Sequence, residues 1–280
     1  MTKTILVPTD FSENAFFATL YASKLASKQG FAIELFHCYT TSSTVFDEEN
    51  DNIPVLKADV LILEWKENLQ KQFPALHVDT TCVAGLLGEV LPSLSREDKY
   101  NLIVMGTTGS GKGKPVAWGS NTNNIIYKAA VPVLAIPNLY DKFALDRVAM
   151  LTNFKPEELE TLTSYIDNAG AIPQLDVIHV YKDIDDASKI EDLLLSWSFN
   201  VEQISGVDKV GRISSAIDKE NIERDTVPEG IHHIIVAHDY DIILVSKTRK
   251  SFFERLFRTS VSKEIILNLD RPAFFDNNAT

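Results

Sequence analysis

The chain has 280 residues, 45% of them hydrophobic and 24% charged, and carries a net charge of −12 at pH 7. That length fits one large domain or two modest ones, and the composition excludes a disordered chain. The acidic balance argues against a nucleic-acid binder, which needs a basic footprint to displace counterions, and no apolar run reaches the ~18–20 residues that cross a bilayer.

Met1 leads straight into a β-like run rather than a signal-peptide core. Thr4-Ile5-Leu6-Val7 is short and β-branched, and Pro8-Thr9-Asp10-Phe11-Ser12 breaks it. Ser12 fits the N-cap of a helix from Glu13 to Lys28. Strands are predicted near residues 3–8, 31–39, 77–83, 101–105 and 132–136, with helices near 13–28, 54–72, 88–98 and 120–129. In the second of these helices, Leu56, Val60, Leu63 and Leu69 make a buried stripe, with Lys57, Glu64, Lys66 and Glu67 on the wet side. The two cysteines, Cys38 and Cys82, sit in strand-like segments and read as small thiols of a reducing compartment, so a cytoplasmic protein is expected.

The chain is then written a second time. Arg147-Val148-Ala149-Met150 leads into Leu151-Thr152-Asn153-Phe154-Lys155, and a helix from Pro156 to Asn168 follows. Leu175-Asp176-Val177-Ile178-His179-Val180 repeats the run that ends in His37-Cys38. Ser246, Ser260 and Pro272 reproduce, without gaps, the spacing of Gly106, Ser120 and Pro132. Strands alternating with helices imply βαβ units. The predicted fold class is α/β: two tandem copies of an open five-stranded parallel α/β sandwich, Rossmann-like, over residues 1–140 and 146–280. Residues Asp208–Asp225 fit either an extra hairpin or a displaced strand.

Ligands of open parallel sheets bind at the carboxyl ends of strands. One such end carries Pro8-Thr9-Asp10. The other opens the loop Gly106-Thr107-Thr108-Gly109-Ser110-Gly111-Lys112-Gly113-Lys114-Pro115-Val116-Ala117-Trp118-Gly119-Ser120-Asn121-Thr122. Gly106 and Gly109 let the backbone approach an oxyanion closely, and Gly119-Ser120-Asn121-Thr122 opens a helix whose free N–H groups face the same space. Hydroxyls of Ser120 and Thr122 add donors. Phosphate is the ligand this combination favours; the plain alternative is a flexible glycine-rich turn. A P-loop is rejected, because Gly113 stands where its Ser or Thr belongs and Pro115 interrupts its helix.

Gly106-x-x-Gly109, nine residues, then Gly119-Ser120 resembles the nucleotide-binding motif of the universal stress protein family, and the opening Ile5 to Ser12 and the strand ending in His37 are similar to that family as well. The resemblance covers the chain as a tandem pair. It implies a universal-stress-type fold and an adenine nucleotide, ATP with or without Mg2+, lying across the strand ends. By matching position, Asp10 faces the ribose side, and Pro8 and Thr9 shape the floor. Cys38 stands where a backbone contact to adenine is usual, and Met105 and Gly106 border the sugar. Gly109, Gly119, Ser120, Asn121 and Thr122 hold the phosphates, although Asn121 departs from the small apolar residue frequent there. Lys112 and Lys114 either neutralise phosphate charge or are simply solvated.

In the second copy Gly106, Gly109 and Gly119 become Ser246, Arg249 and Thr259, while Pro8 and Asp10 become Leu151 and Asn153. This copy is not expected to bind ATP in the family's manner. The basic and aromatic run 247–258 reads as an anion or headgroup patch, or as a loop packed on a neighbouring copy. His232, His233 and His238 share no helix face for one metal. His37 and His179 read as hydrogen-bonded core histidines. The apolar terminal strands at Val131–Ile136 and Arg271–Phe275 invite edge pairing, which implies an intramolecular pseudo-dimer and leaves a homodimer of whole chains open. The expected function is ATP-dependent sensing or regulation in the stress response. The alternatives are a slow ATP hydrolase or phosphotransferase, for which Asp10 is the acidic candidate, and a nucleotide-free scaffold.

Overall fold

The computed structural model describes residues 2–39, 54–107, 120–182, 187–220, 226–246 and 270–276. The chain divides into two compact units, the first reaching Asp141 and the second running on from Lys142. In the first unit the strands are β1 (Thr4–Pro8), β2 (Ala32–Tyr39), β3 (Val78–Ala84), β4 (Tyr100–Gly106) and β5 (Val133–Ile136). Its helices are α1 (Glu13–Gln29), α2 (Pro54–Gln72), α3 (Leu87–Leu94) and α4 (Ser120–Lys128). All its strands pair in parallel, in the order β3-β2-β1-β4-β5.

The second unit repeats this plan with β6 (Arg147–Leu151), α5 (Glu157–Ala169), β7 (Gln174–Tyr181), α6 (Ala187–Glu202), β8 (Val210–Ala216), α7 (Val227–His238), β9 (Ile242–Ser246) and β10 (Ala273–Asp276). Its parallel order is β8-β7-β6-β9-β10. Of the stretch 208–225, the described residues contribute one strand, β8, that pairs with β7 from Val210 to Ala216. The fold class is the predicted α/β.

Central parallel strands are covered on both faces and so read as unbroken apolar runs. Ile5, Leu6 and Val7 are completely buried, as are Ile33, Leu35 and Phe36 on β2 and Ile103 and Val104 on β4. Each such side chain contributes about 1.5–3 kcal/mol on leaving water. The helices are bounded by local chemistry. Ser12 accepts the Ala15 N–H at 3.2 Å to start α1, and Gly30, left-handed at φ 71°, ends it. Helix α3 stops at Leu94 rather than near residue 98, because the Ser95 hydroxyl donates to the Pro92 carbonyl at 2.8 Å and accepts the Ala130 N–H at 3.0 Å.

The expected buried stripe of α2 holds at Leu69 and fails at Val60 and Leu63, while the Leu56 side chain lies outside the described residues. Val60 and Leu63 on α2 are 54% and 50% exposed, whereas Ala58, Ile62 and Leu69 are buried. The helix is apolar on more than one side near its start, and packing against β2 and β3 selects the face carrying Ala58 and Ile62. Each unit also buries a carboxylate on its second strand. Glu34 takes the Thr81 hydroxyl at 2.7 Å, the Tyr100 hydroxyl at 2.8 Å and the Lys99 ammonium at 3.1 Å. Asp176 takes the Tyr240 hydroxyl and the Gln174 amide, each at 2.8 Å.

Candidate functional site

Strands β1, β2 and β3 run outward to one side of the first sheet, and β4 and β5 to the other. The carboxyl ends of β1 and β4 therefore flank the switch point, where a crevice forms in sheets of this kind. Pro8, Thr9 and Asp10 leave the first of these ends; Met105 and Gly106 form the second.

The β1 end is shaped by hydrogen bonds within its own turn and from the neighbouring strand β2. Thr9 is buried; its N–H donates to the Phe36 carbonyl at 2.8 Å, and its hydroxyl accepts the Phe11 N–H at 3.0 Å. The Thr9 carbonyl can only accept, so the 2.8 Å contact from His37 fixes the proton on Nδ1. Asp10 is exposed at the lip of the strand end, where one carboxylate oxygen accepts the Ser12 N–H at 3.0 Å. Pro8 is buried beneath it.

On the β4 side, Gly106 lies against α1. A Cβ there would fall 2.5 Å from Asn14 Nδ2 and 2.9 Å from Asn14 Cγ, so only glycine fits this backbone position as it stands. The Met105 side chain is 5% exposed and belongs to the core, leaving its main chain as the part that can face a ligand. Ser120 and Asn121 open α4, and Asn121 is exposed. Thr122 is buried, and its hydroxyl faces the Gly106 carbonyl at 3.2 Å and the Thr107 carbonyl at 3.4 Å. That proton is engaged in clipping the start of α4 to the end of β4, a role the sequence reading assigned instead to phosphate. Gly109, Gly119, Lys112 and Lys114 lie outside the described residues, as does the basic run 247–258.

Cys38, near the end of β2, is half-buried, and burial pushes its thiol up to about 11. Cys82 on β3 is pushed up to about 12, first by burial and then by the Asp59 carboxylate. Both are therefore held as thiols rather than thiolates at neutral pH.

The corresponding strand ends of the second unit are filled differently. Ser246 replaces Gly106; it is 8% exposed, and its hydroxyl accepts from Thr161 at 2.9 Å. Glu158, 3% exposed, reaches back from α5 to take the Asn153 N–H at 2.8 Å and the Thr152 hydroxyl at 2.5 Å. Burial raises its carboxyl to about 7, with those hydrogen bonds opposing the shift. His179 donates to the Thr152 carbonyl at 2.8 Å as His37 does to Thr9, and burial lowers its pKa. Sequence reasoning passed over Glu158, whose only signal was an acidic pair at the start of a helix. Trp65 and Trp197 each lie edge-on to the phenylalanine that follows the strand end.

A parallel α/β sheet of this order, with a bare backbone at its switch point, defines a Rossmann-like class of protein. Residues 1–137 match the family model of the universal stress protein family. A universal stress protein of Methanocaldococcus jannaschii is 26% identical over 154 residues, covering 49% of this chain and 95% of that protein. Among solved structures, a universal stress protein from Archaeoglobus fulgidus is 19% identical with a TM-score of 0.67, covering 97% of both chains. A functionally unassigned protein from Pseudomonas aeruginosa is 13% identical with a TM-score of 0.59, covering 98% of this chain and 92% of that one. The universal stress protein family match covers nearly the first half of the chain, and the fold along its whole length is similar to that of the Archaeoglobus protein.

Proposed function

We propose that this chain binds ATP at the ends of β1 and β4 of its first unit only, and that it acts as a nucleotide-responsive regulator in the stress response. The observation that carries this reading is the contrast between Gly106 and Ser246. At the first position the backbone is bare and a Cβ would strike Asn14; at the second a side chain is present, buried and hydrogen-bonded to Thr161. A bare backbone at a switch point is what a phosphate or sugar needs for close approach.

In this proposal Asp10 accepts from the ribose hydroxyls, the main chain at Cys38 meets the base, and Pro8 and Thr9 form the floor. Met105 and Gly106 line the sugar with their main chain. Gly109, Gly119, Ser120 and Asn121 hold the phosphates at the positive end of α4, and Thr122 fixes that end in place. Mg2+, where present, comes with the phosphates. In the second unit the Glu158 carboxylate, ionised in part at neutral pH, adds negative charge at the end of β6.

Titration calorimetry of the purified chain with ATP tests the reading. The expected result is one site per chain, lost in Gly119→Val and kept in Ser246→Val. Two equivalent sites per chain, or a site abolished by Ser246→Val and untouched by Gly119→Val, would overturn it.

A further inference from the structure

Phe11 has φ 60°, in the left-handed region that a bulky L-residue rarely occupies. Nothing in its own chemistry favours that conformation, so surrounding contacts must hold it there. Its ring lies on the His37 imidazole, with centroids 4.7 Å apart, and meets the Trp65 ring edge-on at 5.6 Å. His37 is the same residue whose Nδ1 donates to the Thr9 carbonyl, and the Phe11 N–H returns to the Thr9 hydroxyl. Thr9 and Phe11 are thus both tied to one imidazole, and Asp10 stands between them, exposed.

The second unit contains the same device. Phe154 also has φ 60°, its ring lies 4.7 Å from that of His179, and His179 donates to the Thr152 carbonyl. The interplanar angles are 38° and 39°. Between these matching anchors the residue changes from Asp10 to Asn153. The turn persists where the carboxylate does not, which marks it as a frame separate from the group it presents.

We infer that Phe11 is a positioning residue: its tilted contact with His37 and edge-on contact with Trp65 hold the strand-end turn in the left-handed form that aims the Asp10 carboxylate into the nucleotide site. This rests on the ATP-binding reading above, and deepens it. Phe11 itself touches no ligand. It offsets a backbone strain whose release would let Asp10 turn away.

Two substitutions separate this role from packing. Phe11→Ala removes the ring and keeps a Cβ at φ 60°, whereas Phe11→Gly removes the ring and the strain together. If the ring served only as packing, glycine would be no better than alanine. Under the proposal, Phe11→Ala weakens ATP binding by about ten-fold and Phe11→Gly recovers to within about three-fold of the parent. Phe154→Ala leaves ATP affinity unchanged. A second readout needs no nucleotide: solvent exchange of the Phe11 and Ser12 amides by NMR, since these donate to the Thr9 hydroxyl and the Asp10 carboxylate. Exchange should accelerate in Phe11→Ala and slow again in Phe11→Gly. A parent protein that binds no ATP would overturn the site reading while the exchange pattern still decides the role of the ring. Amide exchange that is the same in all three proteins, or glycine no better than alanine in both readouts, would overturn the inference.

Discussion

Gly106→Ser puts into the first unit the residue that the second unit carries. Its Cβ would fall 2.5 Å from Asn14 Nδ2, 2.9 Å from Asn14 Cγ and 3.3 Å from the Asn14 carbonyl oxygen. Asn14 is 4% exposed, so its amide cannot swing into water without opening the packing of α1 on β4. Overpacking of this kind costs ~1–3 kcal/mol, and with two atoms inside 3 Å the expected loss is about 2 kcal/mol. Asn14→Ala removes both of those atoms, leaving only the 3.3 Å backbone contact. In the double variant the clash disappears, and a coupling of about 1–2 kcal/mol should separate it from the sum of the single variants. Urea denaturation followed by tryptophan fluorescence measures the cycle, and calorimetry with ATP measures binding alongside it. The double variant should regain stability, because the Cβ then meets only the 3.3 Å backbone contact. A loss below ~0.5 kcal/mol in Gly106→Ser, or strict additivity in the cycle, would refute the reasoning from close contact.

Glu158 ties the stability of the second unit to pH. Its folded-state pKa of about 7 lies above the ordinary 4.5, so its contribution is complete below pH 4.5 and is lost as the pH rises through 7. Glu158→Gln should therefore match the parent near pH 5 and exceed it near pH 8, by up to about 3 kcal/mol in urea denaturation; equal curves at both pH values would contradict the burial effect. Ser120→Ala should weaken ATP binding by ~1.5–3 kcal/mol, the worth of one hydrogen bond to a charged group, as read by calorimetry. Gly109→Val should abolish ATP binding while leaving the denaturation midpoint in place. Tyr100→Phe withdraws a donor from buried Glu34 and should cost ~1.5–3 kcal/mol of stability, with Thr81 and Lys99 left to hold the carboxylate.

The amino-acid order by itself was enough for the places of the described strands other than β8, whose stretch fitted either an extra hairpin or a displaced strand, and for their parallel arrangement, because central strands covered on both faces read as apolar runs. Ile5-Leu6-Val7 and Leu102-Ile103-Val104 announce themselves for that reason. It also carried the internal repeat and the loss of the glycines in the second copy, since a residue type that spares the backbone a Cβ is visible without coordinates. Only the tertiary structure could choose the buried side of α2, where Val55, Leu56, Val60, Ile62 and Leu63 offer competing apolar faces and β2 and β3 decide among them. The engagement of Thr122 with two carbonyls was likewise invisible, because a hydroxyl at a helix start looks the same in sequence whether its proton faces a ligand or the main chain. The left-handed turn at Phe11 and the buried Glu158 carboxylate belong to the same group. The first depends on His37 and Trp65, brought from separate elements, and the second on a burial that only the packing of the whole unit sets, so neither has a local period or motif from which to be read.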